Sequence, residues 1–456
     1  MNAQTTQSTA KELPGTSGWP LVGHIPDISR KGLFEMIASH RETLGDIFRF
    51  RLGKKEMVVL IHPEHIKHTY LTHRDNYRKD EAYDNIRILV GDGLLTVQDE
   101  QWRHRRRTMQ PAFHRDSIIA MTEEMKDATL DLLKEWEPRF KADQSVDIYS
   151  EMMHVTLDII GRTLFNLRLN DKADRSAEAF SIALEHISER GNNLFNLPLS
   201  VPTPGNIRFR RSIELLDKLV YDIIEDRRKN DKEHHDLLEM LLKATDEHGE
   251  LLTQKTIRDE LVTMFLAGHE TTAIALSWTW YLLSQHPEVE AKLHKEWEEV
   301  LQGRPATADD LPNLPYSKMV FQEAMRLYSP VWSGGRNAVA DDMIDGYHIN
   351  AGSIVVICPY FTHRHPDFWE DPERFWPERF SPENSKGRHK FAYVPFSVGP
   401  RMCIGNHFST FEAQILLPTI GQKYRFTLDP AHKVEKNFQI TLRPKHGLYM
   451  FPHPRT

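Results

Sequence analysis

The chain has 456 residues, 40% hydrophobic and 27% charged, enough for a large buried core and free of Gly/Ser runs, low-complexity tracts or repeats. A formal net charge of −7 argues against a nucleic-acid binder. Only two cysteines occur, Cys358 and Cys403, which excludes a disulfide framework and points to a reducing, cytoplasmic home.

Residues 1–12 are small and polar and read as a flexible tail, with neither a signal-peptide core nor a membrane anchor. Residues 14–26, rich in Pro and Gly, predict an extended entry segment. Asp46–Leu52 and Lys55–Ile61 read as two strands around Gly53 because apolar residues alternate with charges. From Pro63 to Leu327 the helical period dominates, as in Thr122–Phe140, Ser212–Asn230 and Pro287–Gln302. Beyond Leu327 come short strands in Tyr347–Pro359, a Pro- and aromatic-rich coil over Phe361–Phe380, a last helix from near Cys403 to near Tyr424, and strands in Gln439–Met450. The fold class is therefore mainly α with small β-sheets, and no linker divides the chain into domains.

Thr263–Leu283 is long and apolar but carries His269 and Glu270, and charge inside lipid is costly, so it predicts a core helix and not a membrane span. Met264, Ala267, Gly268, Thr271 and Ala275 share one face of it. Two readings fit that face. Small side chains leave a hollow with one hydroxyl, or they permit a close helix–helix contact with Thr271 bonded back to its own helix.

Cys358 lies in the apolar strand IVVICP and reads as core. Cys403, in PFSVGPRMCIG, precedes the helical run Phe408–Leu417, so backbone N–H groups can point at its sulfur. With Arg401 nearby, the expectation is a lowered thiol pKa, suited to a nucleophile or a metal ligand. No second Cys or His at zinc spacing accompanies it.

Phe396-x-x-Gly399-x-Arg401-x-Cys403-x-Gly405 resembles the haem-binding loop of the cytochrome P-450 family, and the resemblance runs from about Leu13 to Met450. It implies one large haem-thiolate domain over residues 13–456. Cys403 is then the axial ligand of the iron of haem b (iron protoporphyrin IX), Phe396 packs beside the sulfur, and Arg401 meets a propionate. Ala267-Gly268-His269-Glu270-Thr271-Thr272 is similar to the family's oxygen-side helix, which makes Thr271 the alcohol beside dioxygen and Glu270 the acid feeding it protons through water. Glu323 and Arg326, with Arg379 in Trp376-Pro377-Glu378-Arg379-Phe380, resemble a structural Glu–Arg–Arg triad. Trp102 and Arg106 match the propionate-contacting helix, and Arg336 is a further propionate candidate. The neighbouring Arg103, His104, Arg105 and Arg107 form either a solvated helix face or a docking patch for an acidic electron carrier.

The resemblance implies a monooxygenase that hydroxylates or epoxidises an apolar small molecule. Fatty acids, terpenoids, steroids and macrolides all fit, with a lean to elongated lipids. Electrons are expected from a separate ferredoxin or flavodoxin with its reductase. Pocket candidates are Leu94, Leu95, Phe265, Val331 and Trp332. The rival readings are a peroxide-driven haem-thiolate peroxygenase or isomerase, and a haem sensor without turnover.

Overall fold

A buried helix needs apolar residues on every side, and the segment Gln254–Gln285 has them, so it forms the core that the other elements surround. The Thr253 side chain opens it by accepting the Thr256 N–H. In the computed structural model, which describes residues 11–140, 144–168, 172–192, 197–229 and 236–455, this central helix packs against Ile148–Phe165, Pro315–Leu327 and Asn406–Gly421. The contact with Ile148–Phe165 accounts for Gly268: a Cβ there would lie 2.6 Å from Ile160 Cδ1. Gly268 therefore serves a close helix–helix contact, and the open part of that face lies beside it, at Ala267 and Thr271.

The predicted strands form at Ile47–Leu52 and Lys55–Leu60 as an antiparallel pair. Lys55–Leu60 continues parallel to Ile354–Ile357, which pairs antiparallel with Gly334–Ala338, and Tyr77–Lys79 closes this five-stranded sheet. Phe48, Phe50 and Val59 on one side of it are fully buried with Met36 and Ile37 of the helix Leu33–Leu44. The architecture is mainly α with small sheets.

Boundaries shift where tertiary contacts decide them. The expected tail is tied down by Lys11, whose N–H donates to the Gly346 carbonyl at 2.8 Å, while residues 1–10 lie outside those described. The last helix begins at Asn406, three residues beyond Cys403, so the cysteine sits in a loop ahead of the helix. Among the described residues no helix is long and apolar enough to cross a membrane.

The basic run after Trp102 does not form one exposed patch. Its residues lie on the helix Asp99–Met109, whose turn carries Arg105 inward to a buried ion pair with Glu260 at 2.6 Å. The other Glu260 oxygen accepts the Leu94 N–H. His104 bonds the Thr245 carbonyl and Arg103 pairs with Glu100, which leaves Arg103 and Arg107 as the exposed arginines of the run. Removing one partner of a buried pair strands the other charge. Arg105→Met should cost about 3–5 kcal/mol of stability. Thermal denaturation should show most of that loss recovered in the Arg105→Met/Glu260→Gln double variant; equal melting of the single variant and the parent would contradict the burial argument.

Candidate active site

The cysteine loop is built by backbone bonds that turn it back on itself. The Cys403 N–H donates to the Phe396 carbonyl at 2.9 Å, and the Met402 N–H to the Gly399 carbonyl at 3.0 Å. Gly399 has φ +78°, and a Cβ there would meet the Tyr70 carbonyl oxygen at 2.4 Å, so only glycine fits. Phe396 is half-buried against the main core. From outside, Arg106 donates to the Met402 carbonyl at 3.0 Å. Arg401 lies 4.1 Å from the Trp102 ring centre and donates to the Val97 carbonyl at 2.9 Å.

Cys403 is exposed, and so is Ala267 in the middle of the otherwise buried central helix. The central helix and the Asn406–Gly421 helix are joined by Thr272 and Ser409, whose hydroxyls are 3.1 Å apart. Five residues before Thr272 is Ala267, and six before Ser409 is Cys403. Cys403 and Ala267, both open, therefore lie only a few residues from this contact between their segments.

The expected thiolate-favouring environment is overturned. Burial among surrounding protein atoms pushes the Cys403 thiol up, and this outweighs the Gly405 N–H and the Arg106 charge, which pull it down. The sulfur loses its proton readily only with a cation to bind it.

Glu270 and Thr271, the residues of the expected relay, lie on different faces of the central helix. Thr271 Oγ donates to the Ala267 carbonyl at 2.8 Å. Glu270 is buried on another face, where its Oε1 accepts from Thr441 at 3.1 Å, and burial raises its pKa against the opposing pull of Arg443. The two side chains do not meet because consecutive helix residues point about 100° apart.

The triad is assembled as the resemblance implies. Both Glu323 oxygens accept from Arg326, at 2.7 and 2.8 Å, and Oε1 also accepts from Arg379 Nε and the Trp376 N–H, each at 2.9 Å. The remaining guanidinium N–H groups are spent on carbonyls: Arg326 on His363, Pro372 and Arg374, and Arg379 on Glu370, Asp371 and Arg374. His363 was not legible in the sequence. Its Nε2 accepts the Val394 N–H at 2.9 Å, which links the triad to the start of the cysteine loop, and burial lowers its pKa to about 3, so it stays neutral as an acceptor.

Lys79 is the second residue missed. It is surrounded by cations: burial first, then repulsion from Arg401, Arg336 and Arg87, brings its pKa down to about 6. Burial and repulsion from Arg336 likewise lower Arg401 to about 10. Arg336 is buried and lies 4.9 Å from the Tyr70 ring centre and 5.7 Å from that of Tyr83. Two arginines and a lysine converging here suit a ligand that carries carboxylates. A short sequence pattern could not reveal Lys79, since it reaches this cluster from the edge strand of the sheet.

Of the pocket candidates, two are corrected. Phe265 is fully buried, with ring centres 4.6 Å from Phe165 and 6.4 Å from Phe180, and belongs to the helical core. Trp332 packs on Phe34 and Phe438 under the five-stranded sheet and donates its indole N–H to the Gln439 carbonyl. Leu94 is a core residue held through Glu260, Leu95 is half-buried, and Val331 is exposed.

A model of the family described as Cytochrome P450 matches residues 13–451. The chain belongs to the cytochrome P450 family. It is 33% identical to a cyclooctat-9-en-7-ol 5-monooxygenase of Streptomyces melanosporofaciens, covering 92% of this chain and 91% of that one. It is also 33% identical to a pentalenene oxygenase of Streptomyces avermitilis, over 90% of each. The cytochrome P450DA heme domain superposes with a TM-score of 0.87 at 27% identity, over 98% of each chain. This cytochrome P450 is accordingly a haem-dependent monooxygenase. Its residues fit the haem: an exposed cysteine, an open patch at Ala267–Thr271 on the central helix, and a cluster of Lys79, Arg336 and Arg401. Glu323→Gln should lower the haem content of purified protein, measured as haem per chain, and reduce stability by about 3–5 kcal/mol by stranding two buried arginines. Retained haem and an unchanged melting point would count against the clamp.

Proposed function

We propose that this cytochrome P450 hydroxylates or epoxidises an apolar terpenoid, with residues 13–456 acting as one catalytic domain, haem b as the resident cofactor and a separate ferredoxin or flavodoxin, with its reductase, as electron donor. The observation that carries this reading is that Cys403 and the Ala267–Thr271 patch are both open beside the Thr272–Ser409 contact that joins their segments, which supports a recess between them. Two relatives named for cyclooctat-9-en-7-ol and pentalenene favour a cyclic terpenoid over a fatty acid, steroid or macrolide.

Cys403 would hold the haem iron, and the bound haem would supply redox chemistry at an iron whose thiolate ligand favours O–O cleavage. Arg336 and Arg401, joined by Lys79, would hold the propionates through charge-assisted hydrogen bonds. Trp102 steadies Arg401 from the ring face, and Arg106 fastens the loop through the Met402 carbonyl.

Thr271 would act from the recess wall. Rotation about its Cα–Cβ bond exchanges the Ala267 carbonyl for a partner in the recess and turns the hydroxyl into a proton donor there. Glu270, its acid form favoured by burial, would store the proton, and water would bridge the gap to Thr271. Glu412 is a second buried acid, beside Thr272, with its pKa raised well above the usual carboxylate range by burial. The exposed Arg103 and Arg107 flank Arg106 and support docking of an acidic electron carrier on the cysteine side.

Three outcomes follow. Cyclic terpenoids should shift the haem absorption spectrum in a titration, while fatty acids and steroids should not. Thr271→Ala should lower product formed per NADPH by about tenfold or more, with peroxide released instead. Cys403→Ser should abolish the thiolate-type absorption of the reduced, carbon-monoxide-treated protein. Turnover with hydrogen peroxide alone, and none with dioxygen and reductant, would replace this reading by a peroxygenase.

A further inference from the structure

On the far side of the cysteine loop, His68, His73 and Asp342 come together from distant parts of the chain. His68 Nε2 is 2.8 Å from Asp342 Oδ2, and His73 Nδ1 is 3.1 Å from Asp342 Oδ1. The ligand-type atoms of all three lie within 4.8 Å of one another.

The backbone builds this arrangement. His68–Thr72 is a π-helical turn, closed by the His73 N–H on the His68 carbonyl at 2.8 Å. Two residues five apart on an α-helix point about 140° away from each other. The wider turn brings them together instead, with the imidazole rings stacked at 4.0 Å between centres and 26° between planes. Such turns tend to occur at functional sites.

Asp342 is held for ligation. Its side chain is 7% exposed; the Tyr77 hydroxyl donates to Oδ2 at 2.7 Å and the Met343 N–H to Oδ1 at 2.7 Å. Each oxygen keeps a lone pair facing a histidine, and donors behind a ligand both orient it and tune it. His73 is 45% exposed and His68 borders an open cleft of about 550 Å³ with Asp46, His62 and Glu64, so an aqueous ion can reach the cluster.

We propose that His68, His73 and Asp342 form a binding site for a Zn²⁺-type transition-metal ion, with water completing a four-coordinate shell. Two imidazole nitrogens and one carboxylate match the preference of zinc, nickel and copper and not that of magnesium or calcium. For bonds of 2.0–2.1 Å, neighbouring donors in a tetrahedral shell are about 3.3 Å apart. The 3.1 Å from His73 Nδ1 to Asp342 Oδ1 is close to that edge, and the 2.8 Å from His68 Nε2 to Oδ2 needs to open by about half an ångström. Binding replaces the His68–Asp342 hydrogen bond with a metal bond, the N–H of a neutral imidazole moving to its other ring nitrogen.

The ion would tie the His68–His73 turn to the strand Asp342–Ile344. That turn carries Tyr70, whose ring lies over Arg336 and whose carbonyl oxygen crowds Gly399 of the cysteine loop. The site therefore has a structural role, bracing the outer wall of the cysteine loop.

The test is calorimetric titration of Zn²⁺ into the chelator-treated, haem-loaded protein, with thermal denaturation alongside. One equivalent should bind, and Zn²⁺ should raise the melting temperature. His73→Gln, at an exposed position, should weaken binding by about tenfold or more and remove the thermal shift. Tyr77→Phe should weaken binding less, and His348→Gln, outside the cluster, should leave it unchanged. Absence of saturable uptake by the parent protein, or equal uptake by parent and His73→Gln, overturns the proposal.

Discussion

Glu323 carries a full charge in a place where water cannot reach it, and the geometry behind the active site follows from how that charge is satisfied. An isolated buried carboxylate would be strongly unfavourable, so it is met by two guanidinium groups and a backbone N–H. The second positive charge then has to be spread, and it is spread over the carbonyls of residues 363–374. The coil's own backbone bonds form a series of short turns, and this cluster ties their carbonyls together. Through His363 the same order passes to Val394 and so to the loop that presents Cys403.

The recess follows a complementary logic. On the proposed reading it would lie beside the contact of Thr272 with Ser409, bordered by Cys403, whose thiol pKa the surrounding protein pushes up. The protein would then hold the sulfur in position and leave its charge to be set by the metal. The same economy applies to Lys79, Arg336 and Arg401, whose mutual repulsion is relieved when carboxylates lie among them. A site organised in this way is least comfortable when empty, and ligand binding contributes to its stability.

Proton supply is less direct than the adjacency of Glu270 and Thr271 in the chain suggests. The helix turns them apart, and each finds a partner on its own face: the Ala267 carbonyl for Thr271, Thr441 for Glu270. On the proposed reading, water would join the two.

The sequence alone determined the features that rest on local patterning. The strand pair around Gly53, the core helix through Thr271, the place of Cys403 just ahead of the last helix and the Glu323–Arg326 spacing could all be read because each depends on residues within a turn or two. Tertiary structure decided the rest. Phe265 and Trp332 were equally good as pocket or core on size alone, and packing made them core. Arg105 was one charge in a run until helix rotation buried it against Glu260. Lys79 and His363 have no motif, because their roles come from partners on other segments, some thirty residues away for His363 and hundreds for Lys79. Charge and hydrophobicity are local properties of a sequence, whereas burial, which sets the energy of every one of these groups, exists only once distant segments have come together.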